Sequence, residues 1–214
     1  MWTDILFDLD GTLTDSGEGI TNSVRYALQE MNHPVPPQKV LNRFVGPPLN
    51  EMFAAACGLS GDAITEAITH FRIFYERTGF FQNEVYPGIP ALLEKLKAAG
   101  KTLYVATTKP LPLAENVLRR FELAHHFSLL AGSTMEHAGR QKADVVAEVL
   151  QRAHIRPATA VMVGDRLYDV QGAHACGLPC VGVLFGYGDE EELTTAGADC
   201  LATDVQALGD ILLA

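Results

Sequence analysis

The stretch Ile5-Leu-Phe-Asp8-Leu-Asp10-Gly-Thr12 decides the fold, because an apolar run stops there at two acids and a glycine turn. Short apolar runs of the same kind recur at residues 102–106, 127–131, 160–163 and 180–184, and their length predicts buried strands. Between these runs, apolar residues repeat at the i, i+3, i+4 spacing of helices. Strands alternating with helices predict an α/β fold with a doubly wound, mostly parallel sheet.

One region interrupts this alternation. Residues 17–83 show helical periodicity alone, with one apolar stripe at positions 20, 24, 28 and 31 and another at 64, 68, 71 and 75. A turn-forming Tyr86-Pro-Gly88 follows. We therefore expect a core domain formed by residues 1–16 and 84–214, and an inserted all-helical cap subdomain, residues 17–83, over the strand ends.

Composition and charge narrow the classes of function. The 214 residues are 48% hydrophobic and 20% charged, which is typical of a globular protein. The 26 acidic residues outnumber the 16 basic ones and give a net charge of −10, which disfavours nucleic acids and anionic membrane surfaces as partners. No apolar run approaches the roughly 18 residues of a membrane span. The four cysteines are irregularly spaced, so we expect reduced thiols and a cytoplasmic location.

Asp8 and Asp10 are the first candidate functional residues. They follow the first predicted strand, and residues i and i+2 of a strand point to the same face, so both carboxylates can converge on one site. The carboxyl edge of a parallel sheet is where α/β proteins place ligands. The alternative is structural, because Asp10-Gly11 between apolar flanks is also a type I′ turn signal.

A second acid pair favours the functional interpretation. Another predicted strand ends in Gly164-Asp165, and Asp169 follows four residues later. Two acid pairs at two strand ends need a cation to offset their repulsion, and oxygen ligands without a nearby histidine or cysteine suit Mg²⁺. Asp169 has an alternative role as a helix cap.

Two further segments offer groups that bind anions. Thr107-Thr108-Lys109 follows the strand at residues 102–106 and provides hydroxyl and backbone donors at the same sheet edge. Lys142 precedes a predicted helix, and its ammonium group could reach a phosphate near Asp8.

In their order along the chain, these segments resemble the four-motif signature of the haloacid dehalogenase superfamily. The resemblance spans essentially the whole chain. The helical insertion, with Phe44-Val-Gly-Pro-Pro48, resembles the cap of the phosphoglycolate phosphatase-like branch. The stretch from Gly164 to Gly188 is similar to members that are phosphoglycolate phosphatases or 5′-nucleotidases.

The resemblance implies a role for each matching residue. Asp8 is expected to be the nucleophile that forms an aspartyl-phosphate, and Asp10 the general acid/base. Thr107 and Lys142 are expected to hold phosphoryl oxygens, with Thr108 beside them, although many relatives have Asn or Ser at this last position. The implied ligands of Mg²⁺ are the Asp8 carboxylate, the Asp10 backbone carbonyl and Asp165, with Asp169 acting behind them or through water.

We therefore expect a Mg²⁺-dependent phosphomonoesterase that acts on a small phosphorylated metabolite, with 2-phosphoglycolate or a 5′-nucleotide favoured. The alternatives are a phosphomutase similar to β-phosphoglucomutase and, third, a non-catalytic binding module. Lys39 and Arg43 in the insertion are candidate contacts for the leaving group. The sequence leaves the oligomeric state open.

Overall fold

A computed structural model of the chain, which describes residues 1–135 and 140–214, contains a six-stranded parallel sheet and a two-stranded antiparallel ribbon. The order of strands in the sheet is β5-β4-β1-β6-β7-β8. The strands of the sheet are β1 (Asp4–Phe7), β4 (Thr102–Pro110), β5 (Phe127–Ser133), β6 (Ala160–Gly164), β7 (Cys180–Val183) and β8 (Cys200–Ala202). The ribbon pairs β2 (Thr14–Asp15) with β3 (Glu84–Val85).

Helices connect these strands as the periodicity predicts. Four of them lie between β2 and β3: α1 (Gly17–Glu30), α2 (Gln38–Leu41), α3 (Leu49–Cys57) and α4 (Asp62–Arg77). The others are α5 (Ile89–Ala98), α6 (Leu111–Arg120), α7 (Lys142–Arg152), α8 (Leu167–Ala175), α9 (Glu190–Ala196) and α10 (Val205–Leu213). None of the helices in the described part of the chain has the length and apolar character that crossing a membrane requires.

The sheet buries both of its faces. Successive side chains of a strand point to opposite sides, so Ile5 and Phe7 of β1 pack into one apolar cluster while Leu6 packs into the other. All three are fully buried. This double burial explains why the strands appear in the sequence as continuous apolar runs.

The segment from α1 to α4, called the helical insertion below, has its own apolar core. Val24 and Leu28 of α1 and Phe71 of α4, which belong to the predicted stripes, pack in it together with Phe53 of α3. The fold class is thus confirmed as a doubly wound α/β sheet with inserted helices.

The register of the central strands aligns their carboxyl ends. Phe7 pairs with Val105 of β4 on one side and with Val163 of β6 on the other. The residues that follow each pairing position are therefore brought to one edge of the sheet. Because β4 and β6 flank β1 on opposite sides, a crevice opens at this edge, as expected where the direction of strand order changes.

Candidate active site

Lys142 joins two of the predicted acids. Its ammonium nitrogen lies 2.8 Å from Oδ1 of Asp8 and 2.8 Å from Oδ1 of Asp169, and it donates a hydrogen bond to the carbonyl oxygen of Ala106 at 3.1 Å. The lysine is the first residue of α7, while the acids follow β1 and lie in the first turn of α8. Three distant segments thus meet around one buried ammonium group.

Asp169 also caps its own helix. Its Oδ2 accepts a hydrogen bond from the backbone N–H of Arg166 at 3.0 Å, as part of a capping box at the start of α8. The two interpretations of Asp169 are therefore compatible, because one oxygen caps the helix and the other pairs with Lys142.

Asp165 is fixed from two sides. Its Oδ1 accepts a hydrogen bond from the Thr12 hydroxyl at 3.2 Å, and its Oδ2 accepts one from the backbone N–H of Tyr187 at 2.8 Å. The turn after β1 approaches Asp165 this closely only because residue 11 is glycine. A Cβ atom there would lie 2.6 Å from the Asp165 Cγ, and the backbone φ of +88° is one that glycine adopts without strain.

The buried acids affect one another's ionisation. Burial raises the pKa of Asp8 to about 6, against the opposing effect of Lys142, and the neighbouring Asp169 raises it further. Burial also raises the pKa of Asp165 well above its usual value, with Asp169 and Asp8 adding to the effect. For Lys142, burial lowers the pKa, but Asp169 and Asp8 outweigh it and the net shift is upward. Three buried carboxyl groups thus share one lysine, and their mutual repulsion adds to the cost of burying them.

This donor set fits a hard divalent cation. Carboxylate oxygens of Asp8, Asp165 and Asp169 lie within 4.8 Å of one another, and all three residues are buried. Such oxygen ligands, with uncompensated negative charge, are what Mg²⁺ prefers. Asp169 pairs with the charged Lys142 and caps α8, whereas the groups that donate to Asp165 are uncharged, so Asp165 keeps more of its negative charge available to an ion.

The carboxylate of Asp10 lies apart from this cluster, against a second buried lysine. The ammonium nitrogen of Lys109 lies 3.0 Å from both oxygens of Asp10 and 4.7 Å from the centre of the Tyr75 ring. Burial lowers the pKa of Lys109, but the contacts with Asp10 and Tyr75 together outweigh this effect and raise the pKa overall.

Sequence reasoning assigned no role to the Lys109 side chain. A signal was nevertheless present, because residues two apart on a strand share a face and Lys109 is two residues beyond Thr107. The predicted strand stopped at residue 106, whereas β4 continues to Pro110 and carries Lys109 with it.

The two threonines of β4 have different surroundings. The Thr107 hydroxyl is buried and accepts a hydrogen bond from the backbone N–H of Lys109 at 3.2 Å. The Thr108 hydroxyl, expected near the phosphate, instead donates to the carbonyl oxygen of Gly46 in the helical insertion at 2.7 Å. The insertion therefore competes with any phosphate for this hydroxyl.

A cavity of about 80 Å³ lies between the strand ends and the helical insertion, beside Asp10. From the sheet side it is lined by Asp10, Thr108, Lys109, Pro110 and Leu113, and from the insertion by Ile20, Phe44, Gly46, Pro47, Pro48, Leu49, Phe71, Arg72, Tyr75 and Glu76. Its walls are mostly apolar, and the charged residues among them are Asp10, Arg72, Glu76 and Lys109.

Lys39 and Arg43 do not line this cavity. Both side chains are exposed, and neither is among the residues that line the space beside Asp10. The insertion instead presents Arg72 and Tyr75 of α4 to the cavity. The helical periodicity marked α4 as a helix but could not tell which of its faces meets the sheet.

Comparisons with known proteins agree on one family. The sequence model of the haloacid dehalogenase-like hydrolase family matches residues 5–183 of this chain. A 5′-nucleotidase from Pseudomonas aeruginosa is 38% identical over 99% of this chain and 96% of its own length. A phosphoglycolate phosphatase from Vibrio cholerae is 29% identical over 98% of this chain and 96% of its own length.

A relative with a different name is also similar. The tyrosine-protein kinase PtkA of Mycobacterium tuberculosis is 43% identical over 86% of this chain, and the match spans 62% of PtkA. Among solved structures, one described as a predicted phosphatase from Clostridium acetobutylicum superimposes with a TM-score of 0.96 at 41% identity, covering 100% of this chain and 99% of the other.

Proposed function

The chain belongs to the haloacid dehalogenase-like hydrolase family, and we propose that it is a Mg²⁺-dependent phosphomonoesterase acting on a small phosphorylated metabolite through an aspartyl-phosphate. The observation that carries this proposal is the buried arrangement of Asp8, Lys142 and Asp165 next to Asp10. It combines a nucleophile, a fixed positive charge, a cation site and a second carboxylate, which are the groups that phosphoryl transfer needs.

In this proposal Asp8 attacks phosphorus, so that an O–P bond forms at its carboxylate while the ester O–P bond breaks. Asp10 gives its proton to the leaving oxygen and then takes a proton from the water that hydrolyses the aspartyl-phosphate. Lys142 holds Asp8 in position and stabilises phosphoryl charge together with Thr107. Asp8, Asp165 and the backbone carbonyl of Asp10 would hold Mg²⁺, which when bound supplies positive charge near the transferring group.

The pairing of Asp10 with Lys109 adds one requirement to the proposed reaction. The ammonium nitrogen of Lys109 contacts both carboxylate oxygens of Asp10 at 3.0 Å, so neither oxygen is free to meet a leaving group. Proton donation by Asp10 therefore requires that it exchange this ion pair for the substrate.

We also propose that residues 17–83 act as a cap over a core of residues 1–16 and 84–214. The support is that the helical insertion has its own apolar core and forms one wall of the cavity beside Asp10. The β2–β3 ribbon, where the chain leaves and re-enters the sheet domain, is the place for a hinge. A reducing cytoplasm suits the four cysteines, none of which forms a disulfide in the described residues.

The cavity volume bears on the choice between the two favoured substrates. About 80 Å³ is well below the roughly 300–1,000 Å³ of sites for drug-sized ligands. A leaving group the size of glycolate requires less movement of the insertion than a nucleoside does. We therefore place 2-phosphoglycolate ahead of 5′-nucleotides.

The test is phosphate release from a panel of 2-phosphoglycolate, purine and pyrimidine 5′-monophosphates, sugar phosphates and phosphotyrosine, with Mg²⁺ and with excess chelator. We expect Mg²⁺-dependent release, fastest from a small ester. Release from none of these compounds would contradict the proposal. Conversion of a sugar phosphate to its isomer, only when a bisphosphate primer is present, would indicate the phosphomutase instead.

The similarity to PtkA makes protein-tyrosine phosphorylation a second candidate function. It is tested in the same assay by adding ATP and a tyrosine-containing peptide. Transfer of phosphate to the peptide at a rate above ester hydrolysis would favour this second candidate.

A further inference from the structure

Two hydrogen bonds from the sheet domain hold neighbouring carbonyl groups of the helical insertion. The Thr108 hydroxyl donates to the carbonyl oxygen of Gly46, and the Arg166 guanidinium Nη1 donates to the carbonyl oxygen of Val45, each at 2.7 Å. We call these two bonds the latch. They connect segments that are 62 and 121 residues apart in the chain.

The Arg166 side of the latch is fixed by the sheet domain itself. Its Nε donates to Oε1 of Glu192 at 2.8 Å, and the same oxygen accepts the backbone N–H of Leu167 at 2.9 Å. The arginine is 6% exposed, although it is a residue type that is usually solvated. Contacts within the sheet domain therefore fix the guanidinium group at the place where it contacts the insertion.

Gly46 is the residue that lets the two parts approach. Its φ is +103°, and a Cβ atom there would lie 3.1 Å from Cγ of Arg166. A side chain would need both an unfavourable backbone conformation and displacement of the arginine. Pro47 and Pro48 follow, and their fixed φ angles transmit the position of Gly46 to the cavity wall that they form.

We propose that Thr108 and Arg166 are positioning residues that set the shape of the leaving-group cavity, and hence the enzyme's selectivity among esters, by holding the carbonyl groups of Val45 and Gly46. This inference rests on the proposed phosphatase function. If Thr108 and Arg166 act in this way, part of the enzyme's selectivity depends on two residues of the sheet domain and not on the insertion alone.

The two latch residues of the sheet domain are sequence neighbours of residues assigned to the phosphoryl site. Thr108 directly follows Thr107, and Arg166 directly follows Asp165, so each bond starts one residue from a group assigned to phosphate or metal. The position of the insertion against the sheet domain is therefore coupled, through the backbone, to the geometry of the phosphoryl site.

A direct role of Thr108 at the phosphate is the competing explanation, and the two make different predictions. The phosphoryl group is common to all substrates, so a lost phosphate contact slows every ester equally. A displaced cavity wall slows esters whose leaving groups reach that wall and spares those whose leaving groups are too small to touch it.

The test compares Thr108→Val, which keeps the side-chain shape and removes the hydroxyl, with Thr108→Ser, which keeps the hydroxyl. The matched control is Thr69→Val in α4, where a threonine hydroxyl also donates to a carbonyl, that of Thr65, without crossing to the sheet domain. The substrates are p-nitrophenyl phosphate, whose leaving group is a bulky ring, and acetyl phosphate, whose leaving group is small.

We expect Thr108→Val to lower kcat/KM for p-nitrophenyl phosphate, mainly through KM, about 2- to 10-fold more than for acetyl phosphate, the factor that one hydrogen bond represents. Thr108→Ser should restore the wild-type ratio of the two substrates, and Thr69→Val should leave it unchanged. Equal losses on both substrates would overturn the proposal in favour of phosphate binding.

Hydrogen–deuterium exchange supplies a readout that does not depend on activity. A peptide covering residues 42–51 should exchange faster in Thr108→Val and in Arg166→Met than in the wild type or in Thr69→Val. Unchanged exchange in both variants would overturn the latch. If the wild-type protein hydrolyses neither ester, the proposed function fails, and the exchange experiment still decides whether the latch exists.

Discussion

Two buried lysines pair with three of the four acids of the site. Lys142 pairs with Asp8 and Asp169, and Lys109 pairs with Asp10. Each lysine fixes the direction of a carboxylate that the proposed reaction uses, one as nucleophile and one as acid. The two first-motif aspartates are therefore distinguished by their partners, although they are only two residues apart.

The division of roles between Asp8 and Asp10 predicts different defects. Asp8→Asn should abolish turnover of every ester. Asp10→Asn should slow an alkyl ester about 10²- to 10⁴-fold, because the leaving oxygen then departs unprotonated. On p-nitrophenyl phosphate, whose leaving group needs little protonation, Asp10→Asn should release about one equivalent of nitrophenol in a burst and then accumulate phosphoenzyme.

Stopped-flow absorbance and acid-quench trapping measure these two signals. Equal slowing of aryl and alkyl esters by Asp10→Asn, with no burst and no trapped phosphoenzyme, would contradict the assignment.

The ion pair of Lys109 with Asp10 predicts a stability defect that a second substitution relieves. Both side chains are less than a tenth exposed, so Lys109→Met leaves a buried carboxylate without its partner. Breaking a buried pair in this way costs about 3 kcal/mol of unfolding free energy. The double variant Lys109→Met/Asp10→Asn should recover much of that loss, because neither charge then remains.

Urea unfolding of the two single variants and the double variant gives the coupling free energy directly. Additive losses would show that the ion pair does not stabilise the folded protein.

At the scale of elements, the site depends on how closely the turn after β1 approaches the loop after β6. Gly11 permits this approach, and Thr12 completes it by donating to Asp165. The neighbouring strands supply the rest, because Val105 of β4 and Val163 of β6 lie level with Phe7, the last residue of β1. A short turn thus determines the geometry of a carboxylate that is more than 150 residues away in the chain.

Gly11→Ala should therefore displace Asp165. A displacement of about 1 Å at a catalytic centre costs on the order of 10²-fold in rate, and we expect a loss of this size together with a weaker response to Mg²⁺. The matched control is Gly58→Ala, since Gly58 also has a positive φ, of +69°, but no atom within 4 Å of an added Cβ.

Both variants introduce backbone strain of about 1 kcal/mol, and thermal unfolding should show similar losses of stability. Steady-state kinetics at several Mg²⁺ concentrations should distinguish the two variants, because only Gly11→Ala should lose activity and respond more weakly to Mg²⁺. Wild-type activity in Gly11→Ala would mean that Asp165 tolerates the displacement.

At the scale of the whole molecule, three apolar clusters hold the site together. Two cover the faces of the sheet and the third lies inside the helical insertion. The acids lie where these parts meet, so their mutual repulsion acts against folding of the chain. A cation that binds only the folded state removes this repulsion and stabilises the molecule.

Mg²⁺ should therefore raise the Tm. Ligand at about 100 times its Kd adds about 2.7 kcal/mol, which corresponds to about 5–10 °C for a chain of this size. The increase should be largely lost in Asp165→Asn, and NaCl at the same ionic strength should not reproduce it. Differential scanning calorimetry measures the shift, and an equal shift in wild type and Asp165→Asn would place the cation elsewhere.

Much of this organisation could be predicted from the sequence. The buried strands form continuous apolar runs, so five strands of the sheet and their central acids were predicted close to their observed positions. The short edge strand β8 was missed, since Cys200–Ala202 has only three residues and too little apolar periodicity to identify it. The prediction also ended β4 too early, because polar side chains at residues 107–109 hid its continuation.

The sequence by itself determined the fold class and the helical insertion, because these depend on local periodicity. It predicted the acids from the positions of strand ends, and Lys142 from the order of the segments, which resembles that of the haloacid dehalogenase superfamily. Only the tertiary structure decided that Lys109 faces Asp10, that the Thr108 hydroxyl faces Gly46, and that Lys39 and Arg43 lie outside the cavity. The physical reason is that these contacts join segments far apart in the chain, within the sheet domain for Lys109 and Asp10 and between the sheet domain and the insertion for Thr108 and Gly46. Local pattern fixes which face of an element is apolar, but the packing of one element on another fixes which polar groups meet.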